Sequence, residues 1–164
     1  GHLAFENVLT RRLRTRVEGR IDDTTEREKR VTLQGALNYA LAENWVARLT
    51  VGYAKEDPHF SAKSASAVLE RDWHGTWFVS VFGRYYEDTS EIDNGIALDA
   101  AAPPLKTYQA GLGVRRQGNR AAIKFDIGPC FSRYALHPRR NTDFDQLYKD
   151  RDWLSLQAAY QYQF

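Results

Sequence analysis

The sequence predicts an all-β fold, an eight-stranded antiparallel barrel that crosses a membrane with its strands, and three observations carry that prediction. The last eleven residues alternate apolar and polar and stop on an aromatic. Seven upstream segments repeat the same period of two, and the connections between them alternate between short and long.

Taken in order, the first strand is expected over about Leu9 to Ile21, with Leu13, Thr15, Val17, Gly19 and Ile21 on one face and Arg12, Arg14, Arg16, Glu18 and Arg20 on the other. The second covers about Val31 to Leu41 and shows Leu33, Leu37 and Tyr39 opposite Thr32, Gln34 and Asn38. A tight connection at Ala42-Glu43-Asn44 leads to the third, Trp45 to Tyr53. The fourth, about Ser64 to Trp73, has ambiguous parity because Ala65, Ala67 and Leu69 compete with Ser66 and Val68. After a turn at His74-Gly75 the fifth presents Trp77, Val79, Val81, Gly83 and Tyr85 outward, with Ser80 and Arg84 inward. The sixth spans about Thr107 to Arg116, and a turn at Gln117-Gly118-Asn119 leads to the seventh, with Ile123, Phe125 and Ile127 outward and Lys124 and Asp126 inward. Pro129 has no N–H for a ladder, so a bulge or an early end of pairing is expected there. The eighth strand places Leu154, Leu156, Ala158, Tyr160, Tyr162 and Phe164 on one face, with Ser155, Gln157, Gln161 and Gln163 on the other.

Connections two to three, four to five and six to seven are short, and the other four are long and polar. Aromatic residues sort to match. Trp45, Trp73, Trp77, Tyr160, Tyr162 and Phe164 fall toward the short-turn end, and Tyr53, Tyr85, Tyr86, Tyr108 and Tyr134 toward the long-loop end. Two girdles are expected where amphipathic rings settle at two headgroup layers. The terminal strand resembles the C-terminal signal strand of bacterial outer-membrane proteins, and the whole is similar to small barrels of the OmpA and OmpX type. The resemblance implies residence in the outer membrane, recognition of the C-terminal strand by the barrel-assembly machinery, both termini periplasmic, and a monomer.

Composition excludes little by itself. A hydrophobic fraction of 43% and a mean hydropathy of −0.58 would suit a water-soluble chain, yet a small barrel needs apolar residues on its outer face alone. No stretch is long and apolar enough for a transmembrane helix. The net charge of +2, with basic residues dispersed among acidic ones, gives no nucleic-acid signal. The single cysteine, Cys130, forbids an internal disulfide. Gly1-His2-Leu3 lacks the pattern of a signal peptide, so the chain reads as mature, with residues 1–8 expected as a periplasmic lead-in or tag remnant and 9–164 as the barrel.

Eight strands close around an interior filled by side chains, so no open pore is expected. Parity sends Arg12, Arg14, Arg16, Arg20, Arg48, Arg84, Arg115 and Lys124 inward, against Glu18, Glu70, Asp72 and Asp126 if Leu69 faces out. Buried charges need partners or water. Two accounts stay open: a hydrated salt-bridge network, or a site for an anion or acidic segment, including a narrow anion path if the true barrel is wider than this chain.

Candidate chemistry is sparse. Some small barrels modify lipid A, which makes Ser132 and His137, with Asp143 beyond, the weak catalytic candidates; nothing in their spacing enforces a nucleophile–base geometry. The lipid A deacylases carry a His-x-Ser pair on one strand face, and this chain has none. His2, His59 and His74 are isolated, so no metal is expected, and no cofactor. Cys130 points inward and reads as a packed residue. Solvated loop charge is the expected meaning of Asp88, Glu91, Asp93 and Asp99. His137-Pro138-Arg139-Arg140 with Lys149 and Arg151 make a basic outer loop suited to lipopolysaccharide phosphates. The expected role is structural, anchoring or surface interaction through the outer loops. The alternatives are the C-terminal barrel of a larger export or assembly protein, for example in polysaccharide secretion, and a lipid A-modifying enzyme.

Overall fold

The computed structural model describes residues 1–23, 29–56, 60–89, 103–135 and 148–162. These form one antiparallel sheet of nine strands in sequence order: β1 His2–Thr10, β2 Leu13–Asp23, β3 Lys29–Ala42, β4 Trp45–Glu56, β5 Phe60–Trp73, β6 Trp77–Asp88, β7 Leu105–Gln117, β8 Ala121–Tyr134 and β9 Arg151–Tyr162. Every sequential neighbour pairs, and no helix occurs among the described residues.

The expected count of eight is therefore corrected to nine. The first expected strand, Leu9 to Ile21, contains a reversal at Arg11-Arg12: from Leu13 it is β2, and the residues upstream pair back along it as β1, from Val8↔Arg14 to His2↔Arg20. The Arg12 amide donates to Thr10 Oγ1 at 3.2 Å across this turn, and a register shift between Val8 and Thr10 sets the parity of β1. Arg12, expected inside, thus lies in a turn. Residues 2–8, expected to lead into the sheet, are most of its first strand.

An odd count has two further consequences. Among the described residues β1 and β9 do not pair, so the sheet has two free edges rather than the expected closure. The start of β1 and the end of β9, expected on one side, lie at opposite ends of the sheet: the first is with the β2–β3 connection and the second with the β7–β8 turn.

The ladders also run further than their apolar centres. Pairing of β4 with β5 extends to Glu56↔Phe60, so that connection is residues 57–59 and not a long loop; β2 with β3 extends to Asp23↔Lys29, leaving residues 24–28. Polar residues there continue strands beyond the apolar band, which is why composition reads them as loop. The connections after β6 and β8 remain long.

Cross-strand registers give the sheet two unlike faces. One carries rows such as Leu37–Leu49, Val81–Leu112–Ile127–Leu156 and Val114–Phe125–Ala158. These side chains are exposed, Leu156 at 71%. The other carries Arg48, Glu70, Ser80, Arg84, Gln109, Asp126 and Gln157. The parity of the fourth expected strand resolves here: Leu69 pairs with Ala47 and Val81 on the apolar face, and Glu70 turns to the polar one.

Pro129 neither ends its strand nor shifts its register. The β7–β8 pairing resumes from Gln109↔Cys130 to Leu112↔Ile127 in unchanged phase. Two glycines make the crossing possible: a Cβ on Gly128 would sit 1.9 Å from the Ala110 carbonyl oxygen, and one on Gly111 would sit 2.7 Å from Phe82 Cζ. Phe82, 4% exposed, fills the notch this leaves on the polar face.

Candidate functional site

The polar face gathers charges into two clusters on β4 to β9. Glu70, on β5, sits between cations from both sides: Arg48 Nη2 lies 2.6 Å from its Oε1 and Arg115 Nη2 3.2 Å from the same atom. Asp126, on β8, is likewise shared, with Lys124 Nζ at 2.7 Å and Arg84 Nη2 at 3.2 Å from Oδ2. Arg84 extends the second cluster across the sheet, since Nη1 also donates to Gln109 Oε1 at 3.1 Å and to Gln157 Oε1 at 3.3 Å, three strands away on β9. Such reach requires the polar face to be concave.

Aromatic rings support the cations from below. Arg115 lies 4.0 Å above the Phe78 ring and Arg84 4.5 Å above Phe82. Sequence reasoning missed Phe78, Phe82 and Trp153 on this face. For Phe82 the signal is its large-against-small match with Gly111, which needs the register to be seen.

Four cations to two carboxylates leave the clusters positive. One carboxylate atom is incompletely satisfied: Asp126 Oδ1 is buried and has no hydrogen-bond partner. It borders Gly113, where a Cβ would come within 2.6 Å of Oδ1 and 2.5 Å of Ser80 Oγ, so the glycine keeps the space between these two groups open.

The remaining expected interior charges do not join these clusters. Arg16 and Arg20 pair along β2 with Glu18 and Asp22, and His2 reaches Glu18 at 2.9 Å from β1. Arg14 is exposed on the same face and makes no ion pair among the described residues. Asp72 lies on the polar face as expected, at the end of β5 opposite Phe78, where its Oδ1 accepts the Gly75 amide of the β5–β6 turn at 2.7 Å. Beside β2 and β3 the polar face opens into a groove of about 430 Å³ lined by Glu18, Arg20, Asp22, Arg30, Thr32 and Gln34.

Ser132 faces inward, 4% exposed, and shares a hydrogen bond of 3.1 Å with the Thr107 hydroxyl. Cys130 is buried two residues before it, as parity indicates. No group of three or more metal-ligating side chains occurs among the described residues. His59, His137, Asp143, Arg139, Arg140, Glu91, Asp93, Asp99, Gln163 and Phe164 lie outside the described residues. Lys149 and Arg151 are exposed beside the start of β9.

On the apolar face the expected aromatics do form two rows. At the short-turn end Trp73 pairs with Trp77 and Tyr160 with Ile123, while Arg71 and Arg116 lie 5.5 Å and 5.6 Å from the Trp45 and Trp77 rings. At the other end Tyr85 and Tyr108 meet at 5.2 Å, Tyr53 lies in the same zone, and Tyr85 Oη donates to Glu87 at 2.6 Å, itself 3.1 Å from Lys106 Nζ. Tyr86 and Tyr134 belong to the polar face instead. The sequence matches no family model and no curated protein.

Proposed function

We propose that this sheet is wall of a bacterial outer-membrane β-barrel, its apolar face against lipid and its concave polar face toward the interior. The observation that carries this is the apolar face: nine strands present Leu, Val, Ile and Phe side chains outward, exposed, in one continuous band. Water-soluble monomers rarely expose apolar patches beyond a few hundred Å². From Trp77 to Tyr85 the band runs about 26 Å along β6, or about 20 Å across a membrane at the usual strand tilt. The rows of Trp with Arg and of Tyr with Glu and Lys then fall at its two margins, as interfacial girdles do.

Under this reading the protein is an integral outer-membrane component whose role is structural, anchoring or surface interaction, exercised through the connections at the long-loop end. Lys149 and Arg151, with Arg139 and Arg140, supply basic charge there for lipopolysaccharide phosphates. A second reading, the barrel portion of a larger export or assembly protein, is favoured by the free edge of β1. Ser132, engaged with Thr107, gives lipid A modification no comparable support.

The test is direct. The protein is expected in the membrane fraction, resistant to carbonate extraction, with faster gel migration unboiled than boiled. A monodisperse monomer without detergent, running identically boiled and unboiled, would sink the proposal.

A further inference from the structure

We infer that the gap between β1 and β9 is filled by an odd number of further strands of the natural polypeptide, making a barrel of ten or more strands around a water-filled interior. The inference rests on the membrane reading above and deepens it.

Strand direction is the first support. With nine antiparallel strands in order, β1 and β9 run the same way, so a direct seam between them would be parallel. Bacterial single-chain barrels keep an even, antiparallel count. A second copy inserted in the same orientation offers the same parallel seam, whereas one more strand, or any odd number, restores antiparallel pairing on both sides. It also returns the two ends of the wall to one side of the membrane.

β1 itself has the pattern of a wall strand. Leu3 and Phe5 extend the apolar face beside Gly19 and Val17, and His2, Ala4 and Glu6 extend the polar one. Its far edge has no partner among the described residues, and in hydrocarbon an unpaired backbone edge is not tolerated.

The polar face accords with a wider barrel. An eight-stranded barrel fills its interior with side chains, but here the inward residues remain open: Arg20 is 62% exposed, Arg48 41% and Trp153 45%. No large side chain is fully buried among the described residues. The lining of Arg14, Arg16, Arg20, Arg48 and Arg84 favours anions in the enclosed water.

The experiment uses the full natural polypeptide in outer membranes, with Cys130→Ala as background. Phe5→Cys with Val17→Cys is expected to form a disulfide, since these residues are partners. Phe5→Cys, or Val17→Cys alone, combined in turn with Leu154→Cys, Leu156→Cys, Ala158→Cys and Tyr160→Cys, is expected to form none. Arg14→Cys and Gln34→Cys are expected to react with a membrane-impermeant charged thiol reagent at least tenfold faster than Leu37→Cys. A disulfide from Phe5→Cys or Val17→Cys to β9, within one chain or in a species of doubled mass, overturns the inference. So do failure of the Phe5–Val17 disulfide and protection of both inward cysteines. Labelling of Leu37→Cys as fast as the inward pair sinks the membrane reading itself, and the disulfide pattern still reads the strand count.

Discussion

Arg84 and Asp126 meet two strands apart, guanidinium Nη2 to carboxylate Oδ2 at 3.2 Å, across the open Cα of Gly113. The carboxylate is 5% exposed and the arginine 36%, so the anion is the desolvated partner and the cation keeps water. Removing the anion strands two cations, Arg84 and Lys124, whereas removing Arg84 leaves Asp126 still paired with Lys124. Asp126→Ala is therefore expected to cost about 2 to 3 kcal/mol and Arg84→Ala about half as much, the partial exposure of the cations lowering both from fully buried values. Urea unfolding in lipid vesicles followed by tryptophan fluorescence checks the order. A larger loss from Arg84→Ala contradicts it.

Glycines in the sheet rank themselves by what a methyl group would meet. At Gly128 it would strike backbone, at Gly113 the side chains of Ser80 and Asp126, and at Gly35 only Val51 Cγ2 at 3.4 Å. Gly128→Ala is expected to prevent folding or cost more than about 3 kcal/mol, Gly113→Ala about 1 to 3 kcal/mol, and Gly35→Ala within about 0.5 kcal/mol. Ser80→Gly in the Gly113→Ala background should recover part of the loss. Equal behaviour of the three single variants would show that the close approaches do not exist.

Which of these features were legible beforehand follows from what period-two patterning can report. It reports face, so Leu156 outward and Asp126, Cys130 and Ser132 inward were readable from single strands. It cannot report a reversal that preserves alternation: Arg12 in the turn keeps the period of Arg14 and Arg16 in β2, so a strand expected over Leu9 to Ile21 hides the turn that separates β1 from β2. Nor can it report a polar strand end, which is why Lys55-Glu56 and Phe60-Ser61 read as loop while pairing in register. The clusters around Glu70 and Asp126 depend on registers linking β4 to β9, information held by no one segment.

The β5–β6 turn holds His74 at φ 61° beside Gly75 at φ 70°. A left-handed conformation costs an ordinary L-residue about 1 kcal/mol or more, and asparagine adopts it more readily. His74→Asn is expected to stabilise the protein by about 0.5 to 1 kcal/mol, seen as a higher urea midpoint with unchanged slope. His74→Val should lower the midpoint. The Asp72 carboxylate, which accepts the Gly75 amide, predicts a companion loss of about 1 kcal/mol for Asp72→Ala. Opposite signs at adjacent sites make an accidental match hard.

Leu49 and Thr50 are sequence neighbours on opposite faces of β4. Leu49 lies in the row Leu37–Leu49–Ala67, midway between Trp45 and Tyr53, and Thr50 lies opposite Ala36 and Ser66 on the polar face. In water, arginine at either place is well tolerated, because Leu49 is 46% exposed and its side chain packs against little. Against hydrocarbon the two places separate. A cation at mid-depth on a lipid-facing strand position costs about 2 to 4 kcal/mol, and a lumen position does not carry that cost. Leu49→Arg is thus expected to shift the folding equilibrium in vesicles by about 2 to 4 kcal/mol, and Thr50→Arg by less than about 1 kcal/mol. The same pair in detergent micelles, where water reaches the chain more easily, should differ less. Leu49→Arg folding into vesicles as well as Thr50→Arg would mean that the apolar face does not meet lipid, and the two aromatic rows would then need another partner.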